Sequence, residues 1–170
     1  MCTQEQRESV TFQKKRESVI LGPWGGNGGS EWDDGVFSTI KTILVSRGER
    51  EIRGIQIEYC GKNGESIVSE RHGWVEADTL DKIELDYPDE YLMRITGFHA
   101  FEQYAYKHFE DQVGGLHLLR SLCFFTNKKK YGPFGNERGT YFTSGRNGKV
   151  VGFHGRGGAF LDGIGVHVEY

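Results

Sequence analysis

The sequence predicts an all-β fold, and three observations carry that expectation. Short apolar runs are punctuated by glycine, asparagine, proline and charged clusters, and almost no stretch sustains a helical period. Glycine is abundant, 25 residues against 3 prolines, which describes many turns rather than disorder, and an aromatic content of 13% supplies a packed core. A six-residue pattern of aliphatic, polar, small, aliphatic, variable and apolar residues recurs along the chain. At 170 residues the chain makes one domain, long enough to bury its apolar surface without covalent staples.

Residues 1–17 form a polar extension containing the echo Arg7-Glu8-Ser9-Val10 and Arg16-Glu17-Ser18-Val19, read as an exposed arm or an extra edge strand. The domain proper is expected over 18–170. It begins with the apolar run Val19-Ile20-Leu21, stopped by Gly22-Pro23-Trp24-Gly25-Gly26-Asn27-Gly28-Gly29, a turn with a bare backbone. Strands are expected at Phe37–Ser46, Ile52–Cys60, Ser66–Arg71, Lys82–Asp86, Tyr91–His99, Leu116–Thr126, Thr140–Thr143, Lys149–His154 and Leu161–Tyr170. A helical turn near Phe101–Phe109 is the one exception, and Lys128-Lys129-Lys130 is read as a solvated turn.

Ile52-Arg53-Gly54-Ile55-Gln56-Ile57, Leu119-Arg120-Ser121-Leu122-Cys123-Phe124 and Leu161-Asp162-Gly163-Ile164-Gly165-Val166 are the three copies of the pattern. Upstream, Ile95-Thr96-Gly97-Phe98-His99 matches Val150-Val151-Gly152-Phe153-His154, with Ile43-Leu44-Val45 a weaker copy, so the chain reads as three β-hairpin units around one core. The hairpin tips differ: Arg47–Glu51 in the first, about Ala100–Gly115 in the second, and a short glycine-rich turn in the third. Only the third copy carries a carboxylate, Asp162, where the others have Arg53 and Arg120. Divergence at one tip marks a site.

Taken in order, Gly22–Gly29, then Thr126-Asn127-Lys128-Lys129-Lys130-Tyr131-Gly132-Pro133-Phe134-Gly135, then Gly152–Val166 resemble the jacalin-related lectins, over about residue 18 to the end. The resemblance implies a β-prism I of three four-stranded Greek-key sheets with pseudo-threefold symmetry. It also implies a sugar site made of a Gly-x-x-x-Asp turn and the glycine-rich first loop, which carries over to Gly158, Ala159, Phe160 and Asp162, and to Gly29. The unbroken Gly25–Gly29 run resembles the uncleaved, mannose/glucose-binding branch of the family. A second site found on the first repeat of some relatives is not expected, because Arg53 stands in its carboxylate position.

Such a site has a clear chemical logic. Sugar hydroxyls both donate and accept, so a binder needs a fixed anion and fixed amides. Asp162 accepts from two hydroxyls, the N–H groups of Gly29, Ala159 and Phe160 donate, and glycine at 29 and 158 leaves room for the ring. The alternative for Asp162 is a turn-capping carboxylate; either way, a carboxylate at a turn tip is expected to lie outside the core. Trp24 and Trp32 read as core anchors. Phe101, Tyr104, Tyr106 and Phe109 read as self-packing of the long second tip, with stacking on a glycan as the sharper reading.

The six histidines show no zinc spacing, and the glycine loop lacks the Lys-Ser/Thr of a phosphate loop, so no metal, cofactor or enzymatic activity is expected. A net charge of −3 argues against nucleic-acid or membrane partners. The expected partners are mannose- or glucose-containing glycans, bound by a homodimer or higher homo-oligomer. The alternative is a protein-interaction module with a vestigial sugar site. Cys2, Cys60 and Cys123 are odd in number and widely spaced, and Met1–Arg16 has no apolar run, so a reduced, cytoplasmic or nucleocytoplasmic protein is expected.

Overall fold

A computed structural model describes residues 17–74, 77–102 and 116–170. The described residues form strands and turns with no helix: β1 (Ser18–Gly25), β2 (Ser30–Asp33), β3 (Thr39–Arg47), β4 (Ile52–Cys60), β5 (Ser66–Val68), β6 (His72–Gly73), β7 (Thr79–Glu84), β8 (Leu92–Glu102), β9 (Leu116–Thr126), β10 (Lys130–Gly135), β11 (Thr140–Thr143), β12 (Lys149–Gly157) and β13 (Leu161–Glu169). They pair antiparallel into three sheets, ordered β5-β4-β3-β7, β10-β9-β8-β11 and β1-β13-β12-β2, with β6 also on β4. The all-β prism with one sheet per repeat is therefore present.

Each sheet is built on one of the hairpins read from the sequence, and each turns a row of aliphatic or aromatic side chains inward. Ile43, Val45, Ile55 and Ile57 come from the first, Ile95, Leu122 and Phe124 from the second, and Phe153, Ile164 and Val166 from the third; all are fully buried in one cluster. Burial of each such side chain stabilises the fold by roughly 1.5–3 kcal/mol. Trp24 and Trp32 are half-buried against this cluster, as anchors should be, with Trp24 stacked on Phe142 at 5.2 Å and Trp32 on His72 at 3.6 Å.

The structure also corrects the strand reading at several places. The third sheet is completed by β2 and the second by β10, both outside the predicted strands, so Lys130 belongs to a strand rather than to a lysine turn. The predicted strand Ser66–Arg71 stops at Val68, where the Ser69 hydroxyl takes the Ile57 N–H at 3.0 Å in place of a backbone carbonyl. Phe101 and Glu102 extend β8 rather than starting a helical turn; the rest of that stretch, with Tyr104, Tyr106 and Phe109, lies outside the described residues, as does the arm at 1–16.

Candidate functional site

The polar residue of each repeat is the extra residue of a β-bulge. In the third sheet Arg156 pairs with Gly163 but Gly157 pairs with Leu161, which leaves Asp162 unopposed. The same slip leaves Arg53 unopposed between Ser46–Gly54 and Arg47–Ile52, and Arg120 between Phe98–Ser121 and His99–Leu119. A bulge frees a backbone carbonyl and re-aims a side chain. Each freed carbonyl accepts an N–H from the loop that follows the edge strand: Gly26 to Asp162 at 2.8 Å, Trp74 to Arg53 at 2.8 Å and Asn136 to Arg120 at 3.0 Å. The residue before each donor is a glycine in the left-handed region, Gly25, Gly73 or Gly135, and a Cβ there would strike the bulge carbonyl.

The loops also meet neighbouring sheets in rotation. A Cβ on Gly26 would lie 2.8 Å from the Cβ of His117 at the start of β9, one on Gly73 would lie 2.8 Å from the Leu161 nitrogen, and Asn136 donates to the Glu49 carbonyl at 3.3 Å. Three bulges and the three loops bonded to them thus gather at one end of the prism, with the first and third hairpin tips beside them. The site candidates Gly29, Gly158, Ala159, Phe160 and Asp162 all belong to the third of these clusters.

Asp162 is held between the loop and the tip. Its carboxylate lies against the loop backbone, since a Cβ on Gly28 would be 2.6 Å from Oδ1 and one on Gly29 would be 2.9 Å from Oδ2. Contrary to the expectation for a turn tip, Asp162 is only 6% exposed. Burial pushes its acidity constant up from 3.8 to about 6, against the opposing pull of the Arg156 guanidinium. No described protein donor hydrogen-bonds to this carboxylate. A turn-capping carboxylate would be bonded to its own turn; instead the tip closes through its backbone, Gly158 N–H donating to the Phe160 carbonyl at 3.0 Å.

The other two clusters are filled from within. Arg53 is paired with Glu51 at 2.7 Å and Arg120 with Glu102, and both guanidinium groups are almost wholly buried. A guanidinium–carboxylate pair therefore stands in each of those clusters where the third has the Asp162 carboxylate alone. The two long cationic side chains explain why, among the described residues, the bulge carboxylate of the third repeat is the one left without a protein donor.

Two residues of this cluster escape the sequence reading. Arg156 donates through Nε to the Gly28 carbonyl at 3.2 Å and through Nη2 to the Gly29 carbonyl at 3.0 Å. Because a trans peptide sets N–H opposite C=O, fastening the Gly28 carbonyl turns the Gly29 N–H away from Arg156. Gly28 is the other, needed because any side chain would enter the carboxylate. Of the predicted residues, Gly29, Gly158 and Ala159 are exposed, whereas Phe160 is 3% exposed and reaches the site with its backbone only. Gly29 is fixed as glycine by its φ of +66° and by the Gly157 carbonyl, 2.5 Å from any Cβ. At Gly158 the protein itself leaves room, the nearest atom being the Gly29 Cα at 3.6 Å.

The five described histidines are each held by a protein partner. His72 bonds Asp34 at 2.6 Å, His167 bonds Asp33 at 2.8 Å, His154 bonds the Leu21 carbonyl at 2.9 Å and His99 bonds His117 at 2.6 Å. Among the described residues no group of three or more His, Cys, Asp or Glu side chains is placed to hold a metal ion.

A pseudo-threefold prism with one bulge carboxylate that no described protein group bonds, under a glycine loop, has the make-up of a carbohydrate-binding domain of the lectin class. Residues 21–167 match the jacalin-like lectin domain, and the chain belongs to that family of carbohydrate-binding, non-enzymatic proteins. It is 47% identical over 150 residues to an agglutinin of Castanea crenata, covering 88% of this chain and 46% of that one. It is 45% identical over 160 residues to jacalin-related lectin 3 of Arabidopsis thaliana, covering 94% of this chain and 25% of that protein. The chain thus spans half or less of the length of these curated relatives. Among solved structures, a mannose-specific jacalin-related lectin from Morus nigra in complex with mannose superposes with a TM-score of 0.78 at 34% identity, covering 95% of this chain and 100% of that one.

Proposed function

We propose that this chain binds mannose/glucose-type glycans at a single site, with Asp162 accepting from two vicinal hydroxyls and the backbone N–H groups of Gly29, Ala159 and Phe160 donating. The observation that carries this reading is the Asp162 carboxylate, buried yet without a described protein donor, between the glycine loop and the tip. Burying a carboxylate is costly, and hydroxyl donors offset that cost by taking up its unused acceptor capacity. The Morus nigra lectin, solved with mannose, supports the choice of sugar. The odd number and wide spacing of the three cysteines support a reducing compartment, cytoplasmic or nucleocytoplasmic. The weakness of any single shallow sugar site supports a homo-oligomer, in which linked sites gain through effective concentration.

A glycan array probed with the purified chain tests the reading. The expected result is signal concentrated on glycans that present mannose or glucose. Signal confined to galactose contradicts the specificity, and a blank array would hand the domain to the protein-interaction reading.

A further inference from the structure

The chain contains three Asn-Gly steps, Asn27-Gly28, Asn63-Gly64 and Asn147-Gly148, and only one of them falls in the glycine loop over Asp162. An Asn-Gly step can cyclise because glycine has no side chain to shield its backbone nitrogen from the preceding carboxamide. That nitrogen must be free to attack. At the second step it is engaged, Gly64 N–H donating to the Gly61 carbonyl at 3.0 Å, and at the third Gly148 N–H donates to the Met93 carbonyl at 3.2 Å. At the first step neither the Gly28 N–H nor the exposed Asn27 carboxamide has a hydrogen-bond partner among the described residues.

We propose that Asn27 is a site of spontaneous deamidation, and that its conversion closes the carbohydrate site. The Gly28 nitrogen, having given its proton to solvent base, attacks Cγ of Asn27. The new N–Cγ bond forms, the Cγ–Nδ2 bond breaks, and the carboxamide nitrogen takes up a proton and leaves as ammonia. Water then opens the five-membered ring at either carbonyl, giving aspartate or isoaspartate at position 27, with nothing oxidised or reduced. The Arg156 guanidinium, held on the Gly28 carbonyl, places a positive charge near the amide anion that starts this sequence and offsets the nearby Asp162 carboxylate.

Both products disturb the loop. Aspartate adds a second negative charge to the loop whose Gly28 and Gly29 lie against the Asp162 carboxylate, and neighbouring like charges oppose each other's ionisation. Isoaspartate lengthens the backbone by one methylene within a span tied at both ends, by Gly26 to the Asp162 carbonyl and by Gly28 and Gly29 to Arg156. One of those ties must give, and the Gly29 N–H moves with it. This loss of binding rests on the carbohydrate-site reading, whereas the deamidation itself does not.

The test is to hold the full chain in mildly alkaline buffer at physiological temperature, withdrawing samples for peptide mapping by mass spectrometry and for retention on mannose-agarose. Asn27 should convert several-fold faster than Asn63 and Asn147, and retention should fall in step with it. An Asn27→Ala variant should stay retained throughout the same incubation. Equal or faster conversion at Asn63 or Asn147 overturns the site assignment. Undiminished retention of converted protein, or equal decay of Asn27→Ala, overturns the closure. Fresh protein that is never retained overturns the closure together with the carbohydrate-site reading, and the peptide map alone then decides the modification.

Discussion

Replacing Asp162 by Asn separates the cost of this carboxylate to the fold from its value to the ligand. In the folded chain its acidity constant is raised from 3.8 to about 6, a gap of roughly two units, or about 3 kcal/mol at about 1.4 kcal/mol per unit. The folded state holds the proton to higher pH than the unfolded state does. The Asp162 contribution is therefore most favourable below about pH 4, falls as pH rises from there to about 6, and is flat above. It lies on top of the opposite trend from Asp33 and Glu90, whose acidity constants are lowered. The Asn variant lacks this contribution, so the difference between the two proteins carries the slope. At neutral pH it should be more stable than the parent, by up to about 3 kcal/mol less the cost of fitting an amide NH2 against Gly28 and Gly29. Binding should move the other way. Hydrogen bonds to a charged acceptor contribute roughly 1.5–3 kcal/mol each, and a loss of about 3 kcal/mol consumes most of the roughly 4 kcal/mol behind a millimolar sugar. Thermal melts across this pH range, paired with retention on mannose-agarose, read both effects. A variant that melts lower at neutral pH and is fully retained refutes both the buried charge and its role as ligand.

Further outcomes follow from the same geometry. Gly29→Ala forces a Cβ to 2.5 Å from the Gly157 carbonyl at a φ of +66°, so it should cost about 1–3 kcal/mol in a denaturant melt. Gly158→Ala meets nothing closer than 3.6 Å; it should leave the melt within about 0.5 kcal/mol of the parent while weakening methyl-mannoside in calorimetry, and an unchanged affinity would show that the sugar does not enter there. Calorimetry on the parent should give one methyl-mannoside per chain, because buried pairs fill the equivalent clusters at Arg53 and Arg120; a ratio near two would contradict that. Thiol titration of the denatured, unreduced protein should find all 3 cysteines, and a value of one would reveal a disulfide.

The three central hairpins were legible because inward-facing residues such as Ile55, Ile57, Leu122, Phe124, Ile164 and Val166 alternate strongly, as buried strands must. Edge strands were harder to read. In β2 only Trp32 among Ser30–Asp33 is apolar, and β10 combines Lys130 with Gly132-Pro133, which is turn chemistry on its face. Such strands are held by a ladder on one side and carry little pattern of their own. Asp162 stood out because it is the one carboxylate at a position that holds arginine in the other two copies, and the two residues between the aliphatics of each copy are the bulge itself. Its burial was not legible, because the cover comes from Gly26–Gly29 near the other end of the chain. Nor was the role of Arg156, whose partners are backbone carbonyls that carry no sequence signal.

The central claim is that sugar hydroxyls donate to the Asp162 carboxylate, and the carboxylate carbon reports on it directly. Following the Asp162 Cγ chemical shift by NMR through a pH titration should give a midpoint near 6 for the free chain. Saturating methyl-mannoside should move that midpoint to lower pH, because hydrogen bonds to the charged form favour it. A midpoint that sugar leaves in place, in a chain that calorimetry shows to be saturated, would contradict the claim.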